Sequence, residues 1–281
     1  MPTWFFASDL HGREGRVRAL VAAIRAERPQ AVLLGGDLLA HRGGPDFVGD
    51  VLVPGLLDAR RDLGPEAPSV LAILGNDDPA TAEPAVRDAE GRGAWTWVEG
   101  RKVEVAGRPV YGCAFVPPTP FRLKDRERYD VSRFVDPGAV SPEEGWRSVP
   151  VSPEDARKTI RETLDELVGD DDLSEAVLLF HVPPYGTALD RAGLDGRMVD
   201  HVPLDVHVGS LAVRRLVEAR APRVVLCGHV HEAVRLTGTF LERVGPTVCL
   251  QGAHDGPELG LVRFDPADPG AATRELIPPV E

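Results

Sequence analysis

The sequence predicts an α/β protein in which two packed sheets are flanked by helices. Two observations carry that expectation. The first third alternates buried apolar runs with helical spacings, and the last part holds further strand–helix steps followed by short β segments. Residues 3–7 (TWFFA) form an apolar run that predicts a buried strand. Residues 15–28 place Val17, Leu20, Val21 and Ile24 at helical spacing, and Pro29 stops that helix. Residues 31–34 predict a strand, residues 47–57 a helix interrupted by Pro54, and residues 70–74 a third strand. Alternation of this kind favours a mainly parallel sheet. Residues 102–105 and 110–115 predict a hairpin around Gly107-Arg108-Pro109. Residues 153–168 predict one helix, with Ser152 as its N-cap and Pro153 at its first position. Strands at 176–180 and 223–227 bracket a helix at 210–220, and residues 233–277 predict a second, antiparallel sheet. No repeat or linker divides the chain, so residues 1–281 are expected to form one domain. Two long polar segments, about 116–150 and 182–208, show no clear period. Segments of that length inside a domain are commonly functional surface loops or lids.

Bulk properties narrow the function classes. The 281 residues are 43% hydrophobic and 27% charged, ordinary for a globular chain. The 32 basic and 44 acidic residues leave a formal charge of −12, which disfavours nucleic acid as the main partner. The first ten residues lack the pattern of a secretory signal. No apolar run approaches the roughly 20 residues needed to span a bilayer. Cys113, Cys227 and Cys249 lie far apart in apolar runs and are expected to be buried free thiols. A cytoplasmic location fits these features.

Five short segments carry seven candidate metal ligands. Asp9 and His11 stand in S-D-L-H, Asp37 in G-G-D, Asn76 in L-G-N-D-D, His181 in L-L-F-H, and His229 and His231 in C-G-H-V-H. Each cluster follows an apolar run that predicts a strand, and loops at strand carboxyl ends converge on one crevice in an α/β sheet. Asp37 has two carboxylate oxygens and can bridge two ions; Asn76 offers a neutral amide oxygen. Mixed nitrogen and oxygen donors suit Mn, Fe, Zn, Co or Ni better than Mg or Ca. Two divalent ions about 3.5–4 Å apart can share a hydroxide and clamp a phosphoryl group for in-line attack.

The ordered set D-x-H, G-D, G-N-D, H and G-H-x-H, running from Asp9 to His231, resembles the calcineurin-like metallophosphoesterase superfamily. The resemblance implies a four-layer α/β/β/α sandwich with a dinuclear centre at one sheet edge. It implies one ion on Asp9, His11, Asp37 and His231, and the other on Asp37, Asn76, His181 and His229. Manganese is the first expectation, with iron and zinc as alternatives. The implied reaction is hydrolysis of a small phosphodiester, phosphomonoester or nucleotide by in-line attack of a metal-bridging hydroxide. A nuclease is one alternative reading. A metal-binding scaffold or regulatory protein with weak or no catalysis is another. Oligomeric partners are not legible.

Two positions depart from the family pattern. Many members follow the asparagine with a histidine that assists the leaving group; here Asp77 stands in that place. Two adjacent dications favour an ionised Asp77, which cannot donate a proton. Activity should then favour good leaving groups, or another residue supplies the proton, with His207 the first candidate. Asn76 and His207 are also candidate substrate contacts. The second departure is Ala40 in G-D-L-L-A, where many members carry an aspartate and the purple acid phosphatase branch a tyrosine. His207-Val208-Gly209-Ser210 and the run to Glu232 resemble an uncharacterised bacterial branch, and Gly209-Ser210 looks like a helix start able to hold phosphate.

Other residues carry plainer readings. His41 and His201 are expected to be solvated, and His254 and Asp255 to serve turn chemistry. Arg122, Lys124, Arg126 and Arg128 read as a solvated charge run balanced by Asp125, Glu127 and Asp130. Trp95 and Trp97, flanking Thr96, read as one face of a strand.

Overall fold

A computed structural model describes residues 3–39 and 47–280. Fourteen strands are found among the described residues, and twelve of them form two six-stranded sheets. In the first sheet β1 (Trp4–Ala7), β2 (Ala31–Gly35), β3 (Ser69–Ile73) and β4 (Thr96–Trp97) run parallel. Beside β1 lie β13 (Leu259–Asp265) and β14 (Asp268–Ile277), both antiparallel to their neighbours. The second sheet has β6 (Arg108–Cys113), β7 (Val177–Phe180), β10 (Val224–Cys227) and β12 (Thr247–Gln251) parallel. Its antiparallel edges are β5 (Lys102–Val105) and β11 (Leu241–Val244). A separate small hairpin pairs β8 (Met198–Val199) with β9 (Val202–Pro203).

Strand alternation builds four layers. Phe6, Leu33 and Ile73 of the first sheet pack with Leu179, Leu226 and Leu250 of the second, forming an apolar core between the sheets. Their chain neighbours Phe5, Val32 and Ala72 face outward and pack against Leu20, Leu56 and Val86 of the helices Glu14–Glu27, Val53–Leu63 and Glu83–Gly91. On the other side Leu178, Phe180 and Val225 pack against Leu164 and Val213 of the helices Ile160–Val168 and Leu211–Arg220. The α/β/β/α arrangement matches the expectation. The three cysteines are buried and free. Among the described residues no helix is long and apolar enough to cross a membrane.

Several elements differ from the sequence reading for identifiable reasons. The tail does not make a sheet of its own. It opens with a short helix, Ala233–Thr237, then adds β11 and β12 to the second sheet and β13 and β14 to the first. Local pattern marks a strand but not its pairing partner. Residues 153–168 form two helices, Pro153–Arg157 and Ile160–Val168. Thr159 and Glu162 make a reciprocal capping box that restarts the helix, and Ile160 N–H donates to the Tyr129 carbonyl at 2.7 Å. Pro54 does not break its helix: a π-helical stretch, Val48–Leu52, runs directly into Val53–Leu63, and Pro54 stands where the hydrogen-bond pattern changes from one to the other.

The charge run at residues 122–128 is not solvated throughout. Lys124, Arg126 and Glu127 are buried, whereas Arg122 is exposed. Lys124 Nζ meets Glu127 Oε2 and donates to the Thr119 carbonyl at 3.0 Å, while the Thr119 N–H donates to Glu127 at 2.7 Å. Burial lowers the Lys124 ammonium and raises the Glu127 carboxyl from their ordinary values. Desolvation is the first cause of both shifts, with the mutual attraction opposing it. A buried pair of this kind is expected to fix the geometry of the insertion more than to add stability. Glu127→Ala is expected to cost about 3–5 kcal/mol in urea denaturation. Lys124→Met combined with Glu127→Leu should recover most of that loss; a double variant as unstable as the single one would show that the pair itself is stabilising.

Candidate metal centre

The candidate ligands lie just past the carboxyl ends of five parallel strands, β1, β2 and β3 of one sheet and β7 and β10 of the other. Backbone bonds stitch the first two loops together. Asp9 N–H donates to the Gly36 carbonyl at 2.9 Å, His11 N–H to the Asp37 carbonyl at 2.8 Å, and Gly12 N–H to the Leu38 carbonyl at 3.0 Å. Asp9, His11, Asp37 and His229 all adopt left-handed backbone, with φ of 58°, 49°, 50° and 70°. Such conformations cost a non-glycine residue about 1–3 kcal/mol each and persist where surroundings over-determine them. Two glycines permit close approach. A Cβ on Gly75 would collide with the Asp37 side chain, and one on Gly228 with Ser8 Oγ and Asp9 Oδ2.

The seven side chains converge in two overlapping groups. One ligand atom from each of Asp9, His11, Asp37 and His231 lies within 4.8 Å of the others, and the same holds for Asp37, His181 and His229. In the first group His11 Nε2 and His231 Nε2 are 2.9 Å apart, and His231 Nε2 is 3.0 Å from Asp9 Oδ1. In the second, His181 Nε2 lies 3.1 Å from Asn76 Oδ1 and 3.2 Å from Asp37 Oδ2. Asp37 belongs to both groups. His181 Nδ1 faces the Gly35 carbonyl at 2.8 Å, which can only accept, so Nδ1 carries a hydrogen and Nε2 points at oxygen acceptors. A proton on Nε2 satisfies that cluster when no cation is bound; a cation does so in its place, with Nε2 as a donor.

The electrostatics are those of a cation-seeking site. Burial alone would raise the Asp9 carboxyl, but the His231 hydrogen bond and the charges of His231, His181 and His11 hold it well below the usual carboxylate range. Burial alone would lower His181, yet Asp37, Asp9 and the Gly35 carbonyl raise it to about 10. His229 goes the other way, down to about 3, through burial and the neighbouring His181 charge. The donor set of nitrogens and carboxylate oxygens, buried and aimed at common points, fits a divalent transition metal in each group.

Asp77 lies at the same place, with its carboxylate 3.7 Å from His11 Nδ1 and its N–H donating to Asp37 Oδ1 at 2.8 Å. Asn76 Nδ2 donates to Asp77 Oδ1 at 3.1 Å, which leaves Asn76 Oδ1 toward His181. His207 is not one of the converging seven. It pairs with Asp190 at 2.7 Å and meets the Tyr185 ring. Gly209-Ser210 does start a helix, but its amides are taken by a carboxylate of the chain. Asp130 accepts from Ser210 Oγ and from the N–H groups of Leu211 and Ala212, at 2.6, 2.6 and 3.1 Å. The phosphate perch is thus filled by Asp130. His201 is exposed in the hairpin turn as expected. His254 bonds Glu258 at 3.0 Å and Asp255 bonds Arg235 at 2.6 Å. Ala40 and His41 lie outside the described residues.

Three supporting residues escaped sequence reasoning. Asp78 is fully buried and accepts from the N–H groups of Leu38, Leu39 and Gly75 at 3.0, 2.8 and 2.9 Å, welding the β2 loop to the β3 loop. Burial and the nearby Asp37 charge raise its carboxyl to about 7. Arg16, buried in the first helix, donates to the Asp9 and Gly256 carbonyls and to that of His254 at 3.1 Å. Arg126 reaches in from the insertion to the Asp78 carbonyl at 2.9 Å, to Glu83 at 3.0 Å and to Glu99 at 3.2 Å. Its neighbour Asp125 accepts the Ala80 N–H at 2.7 Å. Two successive insertion residues therefore grip the turn that carries Asn76. The second Asp of G-N-D-D was a visible signal for Asp78; no local pattern marks a buried arginine inside a charged run.

Residues 3–233 match the model of the calcineurin-like phosphoesterase family, and the chain belongs to that family. The family typically binds a dinuclear metal site, and candidate ligands for one are present here. A Methanocaldococcus jannaschii protein, uncharacterised MJ1162, is 32% identical over 78 residues, 27% of this chain. That match spans only 30% of the archaeal protein's own length. The crystal structure of TT1561 of Thermus thermophilus superposes with a TM-score of 0.60 at 15% identity, over 98% of each chain. Another solved chain superposes with a TM-score of 0.61 at 17% identity, over 99% of this chain and 100% of the other. At those identities the likeness is one of fold.

Arg126→Ala is expected to strand two buried or half-buried carboxylates and a carbonyl. The cost should be about 3–5 kcal/mol in urea denaturation, with faster proteolysis within residues 116–150. Unchanged stability and proteolysis would mean that the insertion is held by other contacts.

Proposed function

We propose that this protein is a dinuclear metal-dependent phosphoesterase acting on a small phosphodiester, phosphomonoester or nucleotide. The observation that carries the reading is the pair of donor groups sharing Asp37. One ion would be held by Asp9, His11, Asp37 and His231. The other would be held by Asp37, Asn76, His181 and His229. Manganese is the first choice, with iron and zinc as alternatives, on the strength of the mixed donor set. When bound, such a pair supplies a strong nucleophile from water at neutral pH and positive charge against phosphoryl oxygens.

The chain's own residues prepare that chemistry. Asp77 N–H fixes one Asp37 oxygen, and the Gly35 carbonyl fixes the His181 ring, so the donors are oriented before any substrate arrives. Burial of Asp9, Asp37, Asn76 and His181 keeps water from competing for these groups. With two ions bound, Asp77 would stay an acceptor rather than a proton donor, which favours substrates with good leaving groups unless another residue supplies the proton. The −12 charge supports a small phosphorylated substrate over a nucleic-acid polymer.

Chelator-stripped protein should lose hydrolysis of bis-p-nitrophenyl phosphate, and Mn²⁺ should restore it. Asp37→Asn is expected to lose at least one ion by elemental analysis and to lower turnover at least about 100-fold. A variant that kept both ions and full turnover would sink the shared-ligand model. Folded, metal-loaded native protein with no turnover on any phosphoester would favour the non-catalytic scaffold.

A further inference from the structure

The turn after β3 presents Asp77 where a proton donor would serve the leaving group, and the structure supplies a candidate from elsewhere. We propose that His207 donates the proton to the leaving-group oxygen and that Asp190 is its positioning residue. The inference rests on the phosphoester-hydrolysis reading above and deepens it.

Asp190 ends a short 3-10 turn, Ala188–Asp190, and is fully buried. Its Oδ2 accepts the N–H groups of Gly186 at 2.9 Å and Gly209 at 3.1 Å. Its Oδ1 accepts the Thr187 N–H at 3.0 Å and meets His207 Nδ1 at 2.7 Å. Both oxygens are committed as acceptors, so Nδ1 carries the hydrogen and Nε2 is the position left for chemistry. The other groups around the ring hold it in place. Tyr185 lies edge-on with ring centroids 5.9 Å apart, and its hydroxyl donates to Asp205 at 2.6 Å. Asp205 also accepts the His207 N–H at 2.9 Å, and the His207 backbone bridges to Arg191. The His207 side chain is 33% exposed, whereas Asp190 is not exposed at all. A partly exposed ring held through Nδ1 by a buried carboxylate leaves Nε2 without a partner fixed by that pairing, as an acid acting on a substrate requires.

Three contacts tie this pair to the metal-ligand turn. Gln251 Nε2 donates to the Leu189 carbonyl and to the Gly228 carbonyl, each at 3.0 Å. Leu189 precedes Asp190, and Gly228 precedes His229. Val208, the residue after His207, packs in a small cluster with Ala192, Val230 and Ala233, and Val230 stands between His229 and His231. Gly193 N–H also bonds Glu232 at 3.0 Å. The segment that carries Asp190 and His207 is therefore docked on the turn that carries two candidate ligands.

Water delivers an oxygen to phosphorus, the phosphorus–oxygen bond to the leaving group breaks, and the departing oxygen keeps the electron pair. His207 Nε2 passes its proton to that oxygen, giving the free alcohol. The imidazole then regains a proton from the solvent pool, which has received those of the attacking water. Asp190 stabilises the charged imidazole before transfer and holds its ring orientation.

In metal-free protein, long-range ¹H–¹⁵N spectra should show neutral His207 protonated at Nδ1, and Asp190→Asn should erase that preference. With Mn²⁺ bound, His207→Gln should lose about 100-fold more kcat on alkyl phosphate esters than on p-nitrophenyl esters, which leave without help. Asp190→Asn should show the same leaving-group selectivity with KM little changed, and added imidazole should rescue His207→Ala on the alkyl esters. Equal losses on both ester types, or a His207 hydrogen on Nε2, would overturn the assignment while native turnover kept the phosphoesterase reading intact. Native protein inactive on both esters with metal bound would remove that reading and this one together. Should Asp190→Asn fail to fold, the His207 variants decide the question, because their side chain is partly exposed and bears less of the packing.

Discussion

Asp37 is the point at which the two sheets meet chemically. Its backbone follows β2 of the first sheet, and its carboxylate lies 3.2 Å from His181 at the end of β7 in the second. It also accepts the Asp77 N–H from the β3 loop and takes part in both donor groups. A buried carboxylate in that position is tolerable only if cations or hydrogen-bond donors surround it on every side. The rest of the site follows from this constraint. Gly75 must lack a side chain, Asp37 must accept a left-handed backbone, and His181 must turn Nδ1 away toward a carbonyl.

Holding such a cluster is unfavourable by itself, and the fold offsets it in two ways. The apolar core between the sheets keeps the strand ends in register, so the loops begin from fixed positions. Buried polar groups then lock the loops themselves. Asp78 ties β2 to β3, Arg16 holds the Asp9 carbonyl, and Gln251 holds the Gly228 carbonyl. Each of these bonds restrains a candidate ligand or its chain neighbour: Asp9 itself, Leu38 and Gly75 beside Asp37 and Asn76, and Gly228 beside His229. Preorganisation of this kind is what a site needs if its donors are not to rearrange on binding.

The two long insertions contribute in different ways. The segment at 116–150 is a clamp more than a cover. Lys124 and Glu127 fix its own path, and Asp125 and Arg126 grip the turn bearing Asn76. The segment at 182–208 brings a histidine with its own buried carboxylate and docks it beside the His229–His231 turn. Both are poor in regular structure and rich in side chain to backbone bonds, as expected where specificity is built on loops carried by a rigid scaffold.

The sequence by itself determined most strands of the two sheets, several of the helices and the identity of the seven converging side chains; the β8–β9 hairpin and the helix Glu83–Gly91 were not legible in it. Apolar runs of four or five residues announce buried strands, and Asp9, Asp37, Asn76, His181 and His229 each stand one to three residues after such a run. Those signals are local, so they are legible without coordinates. Partner choice is not local. Nothing in residues 241–277 says that β12 joins β10 in parallel while β13 joins β1, because pairing depends on which edge is free when the sheets assemble. Burial of charge is equally non-local. Arg126 and Lys124 share a charged run with exposed Arg122, and only the packing of the insertion decides which is desolvated. The same holds for Asp190 and His207, 17 residues apart in the chain, whose pairing at 2.7 Å exists only because the loop folds back on itself.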